Sequence, residues 1–189
     1  GLKYEGTKYN SKIRIRGSSS RKFSKKSLKI KYKTNDSNES LNLNADYLDE
    51  SYMHQYLSSQ LYKMMGQPVF SCSHRALFLN DEFLGLYLNV ENVDPGLLFK
   101  HKLGAHGNLY KASKDYANLS MYDNADYYWQ KKSNRNWSNQ DLKNLIHDIN
   151  NTPIHRYDNF IKTQFNYHNL ISSIALNILI GNGSTYYHN

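Results

Sequence analysis

One cysteine, three prolines and ten glycines are spread over 189 residues. The lone thiol, Cys72, excludes an internal disulfide framework. It fits a reducing compartment without ruling out export. Glycine and proline this sparse, and without a period, exclude collagen-like and low-complexity chains. No apolar run approaches the roughly 20 residues of a membrane helix. The longest such stretch, Leu170 to Ile180, is interrupted by Ser172, Ser173 and Asn177. The opening Gly1-Leu2-Lys3-Tyr4 shows no charged-then-apolar leader and no initiator Met, so a trimmed chain is expected. Three motif classes are missing too: there is no HExxH pair or second cysteine for zinc, no Walker A loop and no Gly-x-Ser-x-Gly elbow.

Aromatic residues, by contrast, reach 14% and hydrophobic residues 39%, which argues against disorder. The length suits one domain with an incomplete second lobe. Lys and Arg number 24 against 16 Asp and Glu, a formal charge of +8. Much of the excess crowds between Lys8 and Lys33, including Arg14, Arg16, Arg21, Lys22, Lys25, Lys26, Lys29 and Lys31. Such a patch attracts phosphate, on a nucleotide, a nucleic acid or an acidic protein. A solvated lysine-rich strand face accounts for it equally well.

Hydrophobic periodicity predicts strands over 11–16 and 27–32, a polar turn over 34–40 and a short strand over 41–44. A helix is expected from about Asp49 to Met65, capped by Asp49 or Ser51, with Met53, Tyr56, Leu57, Leu61 and Met64 on its buried face. Strands over 73–79 and 84–92 form a hairpin around Asn80-Asp81-Glu82-Phe83. A short helix starts at Pro95, and 108–111 reads as a strand. Residues 113–137 read as a long loop, followed by helices over 138–150 and 167–180. Strands first and helices after suggest an α+β fold.

Four constellations bear on chemistry. Arg16-Gly17-Ser18-Ser19-Ser20-Arg21 is a turn whose N–H groups and hydroxyls can cradle phosphate, although most such loops are simply turns. Lys25-Lys26-Ser27 heads the next strand, as a kinase lysine does, or blunts a sheet edge. Glu91 ends an apolar strand and is either a partner for such a lysine or an exposed strand-end residue. Gly181-Asn182-Gly183-Ser184 through His188-Asn189 is an Asn-rich loop after a buried helix, where Asn and His can serve a metal or a substrate.

Taken in order, these segments resemble the CotH family of atypical protein kinases. The matching pieces are Arg16-Gly-Ser with Phe23 and Lys25-Lys26-Ser27, Leu43-Asn-Ala-Asp-Tyr47 with Asp49 and Met53, Gly85-Leu-Tyr-Leu with Glu91-Asn-Val-Asp94, Gly107-Asn-Leu-Tyr110, and Gly181-Asn182 with His188-Asn189. The resemblance covers about residues 13 to 189 and implies a protein kinase-like fold. In such a fold an antiparallel-sheet N-terminal lobe precedes helices, here with an incomplete C-terminal part. It implies phosphoryl transfer from ATP, with Mg, to Ser residues of a Ser-rich coat or secreted protein. A nucleic-acid-binding module ranks lowest, because the basic residues cluster in one hairpin without an RNP-type signature, and no membrane partner is expected. Arg16 and Lys26, and less directly Lys25, would contact nucleotide phosphates. Glu91 would match the carboxylate that positions the lysine, and Asn189 the metal-binding Asn. Such chemistry needs cations around developing charge and a base to orient the hydroxyl.

Ser184 stands where the family has its catalytic Asp, and a hydroxyl does not accept the substrate proton as a carboxylate does. The family's further Trp-Asp-x-Asp-like metal site has no counterpart before Asn189. This chain alone is therefore expected not to turn over, and a noncatalytic relative acting as a coat scaffold is the alternative. A mother-cell or coat location, or secretion, fits the family.

Overall fold

Alternation of apolar with charged residues in Ser11-Lys-Ile-Arg-Ile and Leu28-Lys-Ile-Lys-Tyr-Lys sends one set of side chains to each face of a sheet. In the computed structural model, which describes residues 1–104, 106–114, 117–120 and 124–183, these segments pair as antiparallel strands of an α+β protein. The chain divides into two compact units. One is Gly1–Lys63 with Val69–Asn92, and the other is Met64–Pro68 with Val93–Asn189.

The first unit opens with a hairpin, β1 (Leu2–Tyr4) and β2 (Thr7–Tyr9). A five-stranded antiparallel sheet follows: β3 (Ser11–Ile15), β4 (Leu28–Lys33), β5 (Asn38–Asn44), β6 (Cys72–Leu79) and β7 (Glu82–Val90). Their spatial order is β3-β4-β5-β7-β6. Ile30, Leu41, Leu43, Ala45 and Tyr87 form the buried core of this unit, with Leu2, Tyr4, Leu28, Tyr32 and Leu77 packed against it. The opening hairpin, absent from the periodicity analysis, thus supplies part of the cover for one face of the sheet. Strand β5 begins at Asn38, inside the stretch expected to be a turn, because the reversal closes over Thr34–Ser37 alone, where Thr34 N–H bonds the Ser37 carbonyl at 2.9 Å.

The β6–β7 connection is tighter than expected. Asn80 and Asp81 both have positive φ, 51° and 68°, and form a two-residue turn of the type that matches strand twist. Strand β7 therefore starts at Glu82. Its pairing then slips: Leu77 faces Gly85 while Phe78 faces Phe83, leaving Leu84 as a bulge residue.

Helix α1 (His54–Met64) starts later than the sequence suggests. Asp49 ties the preceding turn, accepting from Ser51 Oγ at 2.6 Å and from the His54 N–H at 2.8 Å. Its buried residue is Ser59, whose hydroxyl meets Cys72 Sγ at 2.9 Å. Leu57 and Met64, and Met53 just before the helix, all expected to be buried, are exposed, because α1 turns the Tyr56–Ser59 side to β6, where Tyr56 lies against His74 at 5.2 Å between ring centres.

The second unit holds α2 (Pro95–Lys100), the strand pair β8 (Tyr110–Ala112) and β9 (Trp129–Lys131), α3 (Ala125–Tyr128), α4 (Gln140–Asn151), α5 (Ile154–Gln164) and α6 (Tyr167–Leu179). Ala125, Leu142 and Ile146 are buried together, with Tyr110, Leu119 and Trp129 against them. The stretch 113–137 is thus not one long loop. Antiparallel pairing of Tyr110 with Lys131 and Ala112 with Trp129 gives its middle a strand. Among the described residues, no helix is long and apolar enough to cross a membrane.

Candidate functional site

The β3–β4 connection builds the site. Arg16 N–H bonds the Ser27 carbonyl at 2.9 Å, closing the hairpin, and Gly17 at φ +97° turns the chain into a single 3₁₀ turn, Ser19–Lys22. That φ favours glycine, and a Cβ at Gly17 would also force the Ser20 hydroxyl, 2.1 Å away, to rotate. The far wall is the segment after β5. Ala45 N–H bonds Ser27 Oγ at 3.0 Å, and Asp46 follows with φ 44°. Between the two walls lies a cleft of about 410 Å³, lined among others by Arg16, Gly17, Lys25, Asn44, Asp46 and Asp49.

Two cations of the basic segment enter this cleft. Arg16 donates to Asn44 Oδ1 at 2.9 Å, and Asn44 in turn donates to Gln55 Oε1 at 2.8 Å. Burial first, and the neighbouring Arg14 second, push the Arg16 pKa below its usual value, so extra negative charge beside it is favourable. Lys25 is caged. Its ammonium donates to the Ala45 carbonyl at 2.9 Å and to the Leu86 carbonyl, and it sits 4.4 Å from the Tyr52 ring centre and 4.5 Å from that of Tyr87. The bulge on β7 lies alongside: Gly85 has φ +120°, and a Cβ there would be in ordinary contact with Lys25 Cε at 3.4 Å. An ammonium has three donors, so one N–H of Lys25 remains beyond the two carbonyls.

Asp46 faces the same space. Its Oδ2 is buried without a hydrogen-bond partner. Its pKa is raised by burial first and by Asp49 second, against the pull of Lys25 and His74. Asp49 is held the other way, well below the ordinary carboxylate range, by the hydrogen bond from Ser51, burial opposing, and then by bonds from His54. Phe23 and Tyr47 stack at 5.1 Å and 20° and line the same cleft.

The residues expected from the sequence are therefore divided. Arg16 and Lys25 are brought together. Lys26 turns away, donating to the Arg21 carbonyl at 2.7 Å, and is not among the cleft's lining residues. Glu91 closes the end of β7 onto the chain before β6: its Oε2 accepts from Ser71 N–H at 2.7 Å and its own N–H donates to the Ser71 carbonyl at 2.8 Å. It is not part of the cleft lining either. Ser184 and Asn189 lie outside the described residues. Asn44, Asp46, Tyr52 and Tyr87 carry roles that sequence patterning did not assign. Their one signal is position, since Asn44 and Asp46 lie within the Leu43–Tyr47 segment and Tyr87 follows Gly85-Leu86. No group of three His, Cys, Asp or Glu side chains able to hold a metal occurs among the described residues.

Residues 13–189 match the family model described as CotH kinase protein. Inner spore coat protein H of Bacillus subtilis (strain 168) is 31% identical over 152 residues, covering 75% of this chain and 42% of that protein. The chain thus spans less than half the length of this curated relative.

Proposed function

The chain belongs to the CotH family, and from that premise we propose that its first unit is the nucleotide-holding part of a protein kinase-like fold. Its chemistry is phosphoryl transfer from ATP to serines of a Ser-rich coat protein. The observation that carries this reading is the convergence of Arg16 and Lys25 on one cleft beside the Gly17 turn. The two cations are fixed by Asn44 and by the Ala45 and Leu86 carbonyls, so little reorganisation is needed when a polyphosphate arrives. The stacked Phe23–Tyr47 pair offers a flat apolar surface to a nucleobase.

The donor set fits phosphate oxygens: two cations, Lys25 and an Arg16 already short of solvent, with the Ser20 side of the loop. For magnesium the cleft offers one carboxylate oxygen without a partner, Asp46 Oδ2, which would be joined by phosphate oxygens. The cleft holds two carboxylates, Asp46 and Asp49, and Asp49 is already engaged by Ser51 and His54. No step is assigned to a metal here. A location in the spore coat follows from the same premise.

Isothermal titration of the chain with ATP and with ADP tests the reading. Heat of binding is expected, with affinity reduced roughly tenfold or more in Arg16→Gln, the size of one lost charge-assisted contact to phosphate. Lys26→Ala is expected to bind as the parent does. Absence of binding by the parent, or equal loss from Lys26→Ala and Arg16→Gln, overturns it. Ser184, in the position of the family's Asp, favours a second reading, a noncatalytic coat scaffold. That protein would bind nucleotide without transferring phosphate to a Ser-rich peptide, even with Asp restored at 184.

A further inference from the structure

Most of the basic segment's charge is not in the cleft. Register places Lys12 directly opposite Lys31 and Arg14 directly opposite Lys29, and directly opposed residues share a face of the sheet. Lys33 continues the β4 row. Two like-charged pairs in register work against the sheet, and β3 and β4 contain no acidic residue to offset them. Edge protection explains Lys12 and Arg14 on the outermost strand, but not the lysines of β4, which is an interior strand. Lys12, Lys29, Lys31 and Lys33, though not Arg14, border a groove of about 550 Å³ in which the one carboxylate, Glu39, is itself bonded by Ser37 Oγ at 2.6 Å. Lys29 is steadied by Asn92 Oδ1 at 2.9 Å. The β3 row of Lys12 and Arg14 runs on to Arg16, so the face is continuous with the cleft.

We propose that this face is a docking track for an extended protein segment carrying phosphoserines at alternate residues, each phosphate seated between one opposed pair, Lys12–Lys31 or Arg14–Lys29. Charge selects this occupant, and spacing fits it. Phosphoserine carries about −1.5 to −2, which one pair of cations neutralises. A nucleic-acid phosphate carries a single charge and leaves each pair in excess. Successive pairs are two residues apart along the strands, about 6.6 Å, and so are alternate side chains of an extended peptide. The inference deepens the proposed function, since it takes the protein's own product as ligand: a segment already modified would be held while unmodified serines beyond it reach the cleft.

Fluorescence anisotropy with the whole chain and a labelled peptide of four Gly-phosphoserine repeats tests it. Controls are the same peptide with Asp for phosphoserine and an oligothymidylate of matched net charge. The phosphopeptide is expected to bind tightest, weakening as salt screens the contacts. Lys12→Gln combined with Lys31→Gln is expected to weaken it roughly tenfold, one phosphate's contacts being lost. These side chains are exposed or at the sheet surface, and an unchanged circular dichroism spectrum confirms the fold of the variant. No phosphopeptide binding, equal or tighter binding of the oligothymidylate or Asp peptide, or an unaffected double variant overturns the proposal. Its failure is separable from that of the nucleotide reading. ATP binding by a chain that ignores the phosphopeptide removes only the track. Phosphopeptide binding by a chain that ignores ATP removes only the nucleotide cleft.

Discussion

A carboxylate oxygen buried without a partner is a standing cost, and Asp46 pays it in a left-handed backbone conformation with φ 44°. Asn tolerates that conformation as well as Asp does and brings a neutral donor. Because the pKa of Asp46 is raised in the fold, the unfolded chain ionises first as pH rises. The protonated carboxyl therefore contributes stability that is fully present below the unfolded value, near 3.8, and is lost as pH climbs through the folded value. Asp46→Asn is accordingly expected to match the parent near pH 3.5 and to gain on it progressively toward pH 7, by up to about 1 kcal/mol. Urea unfolding at several pH values measures this, and a stability difference that shrinks with rising pH contradicts it. The neighbouring lysines show what sequence can say at this scale. Arg16 continues the alternation of Lys12 and Arg14, so its membership in a cationic row was legible. Which of Lys25 and Lys26 enters the cleft was not, because the chain bends after the 3₁₀ turn at Ser19–Lys22 and strand parity resumes only at Leu28.

Among the elements, the bulge on β7 links sheet geometry to the site. Gly85 has φ +120°, a region costly for any side chain, while a Cβ there would only touch Lys25 Cε at an ordinary 3.4 Å. Gly85→Ala is therefore expected to destabilise the first unit by about 1–3 kcal/mol and to weaken nucleotide binding, because relaxing that φ shifts the adjoining Leu86 carbonyl to which Lys25 donates. Thermal melting and ATP titration of the same variant check both halves; a stable variant with parental affinity would show that the bulge plays no part in placing the lysine. Element identity was largely readable where the hydrophobic period was strong, as in β3, β4, β6, β7, α4 and α6. Helix α5 was overlooked although Pro153 precedes it and Ile154, Tyr157, Phe160 and Ile161 recur at helical spacing. The hairpin of β1 and β2 was invisible for a different reason. Strands of three residues carry too little pattern, and this pair is specified by Tyr9 and Tyr4 packing on Tyr32, at 5.0 and 6.0 Å between ring centres.

At the scale of the whole molecule, the residues of the proposed nucleotide cleft and the whole cationic track belong to the first unit. The second unit has a separate core around Leu142 and Ile146, tied to its strand pair by the Tyr110 hydroxyl, which donates to Asp141 at 2.5 Å. No long glycine- or proline-rich linker marks the division; its crossings carry Gly66 and Pro68 on one side and Asp94-Pro95 on the other, turn signals of the ordinary kind, so a sequence reading naturally takes one domain. The division has a thermodynamic consequence. A ligand that binds only the folded first unit stabilises that unit directly, by about 2.7 kcal/mol at a hundredfold excess over Kd. For a unit of 60–100 residues each kcal/mol moves the midpoint by about 4–8 °C, so an upward shift of roughly 10 °C or more is expected. Calorimetry of the chain should then show the transition of the first unit moving up with ATP, while that of the second, assigned through Tyr110→Phe, stays in place. If a single transition moves as one, folding of the second unit is coupled to the ligand, and the cleft on the first unit is not an independent site.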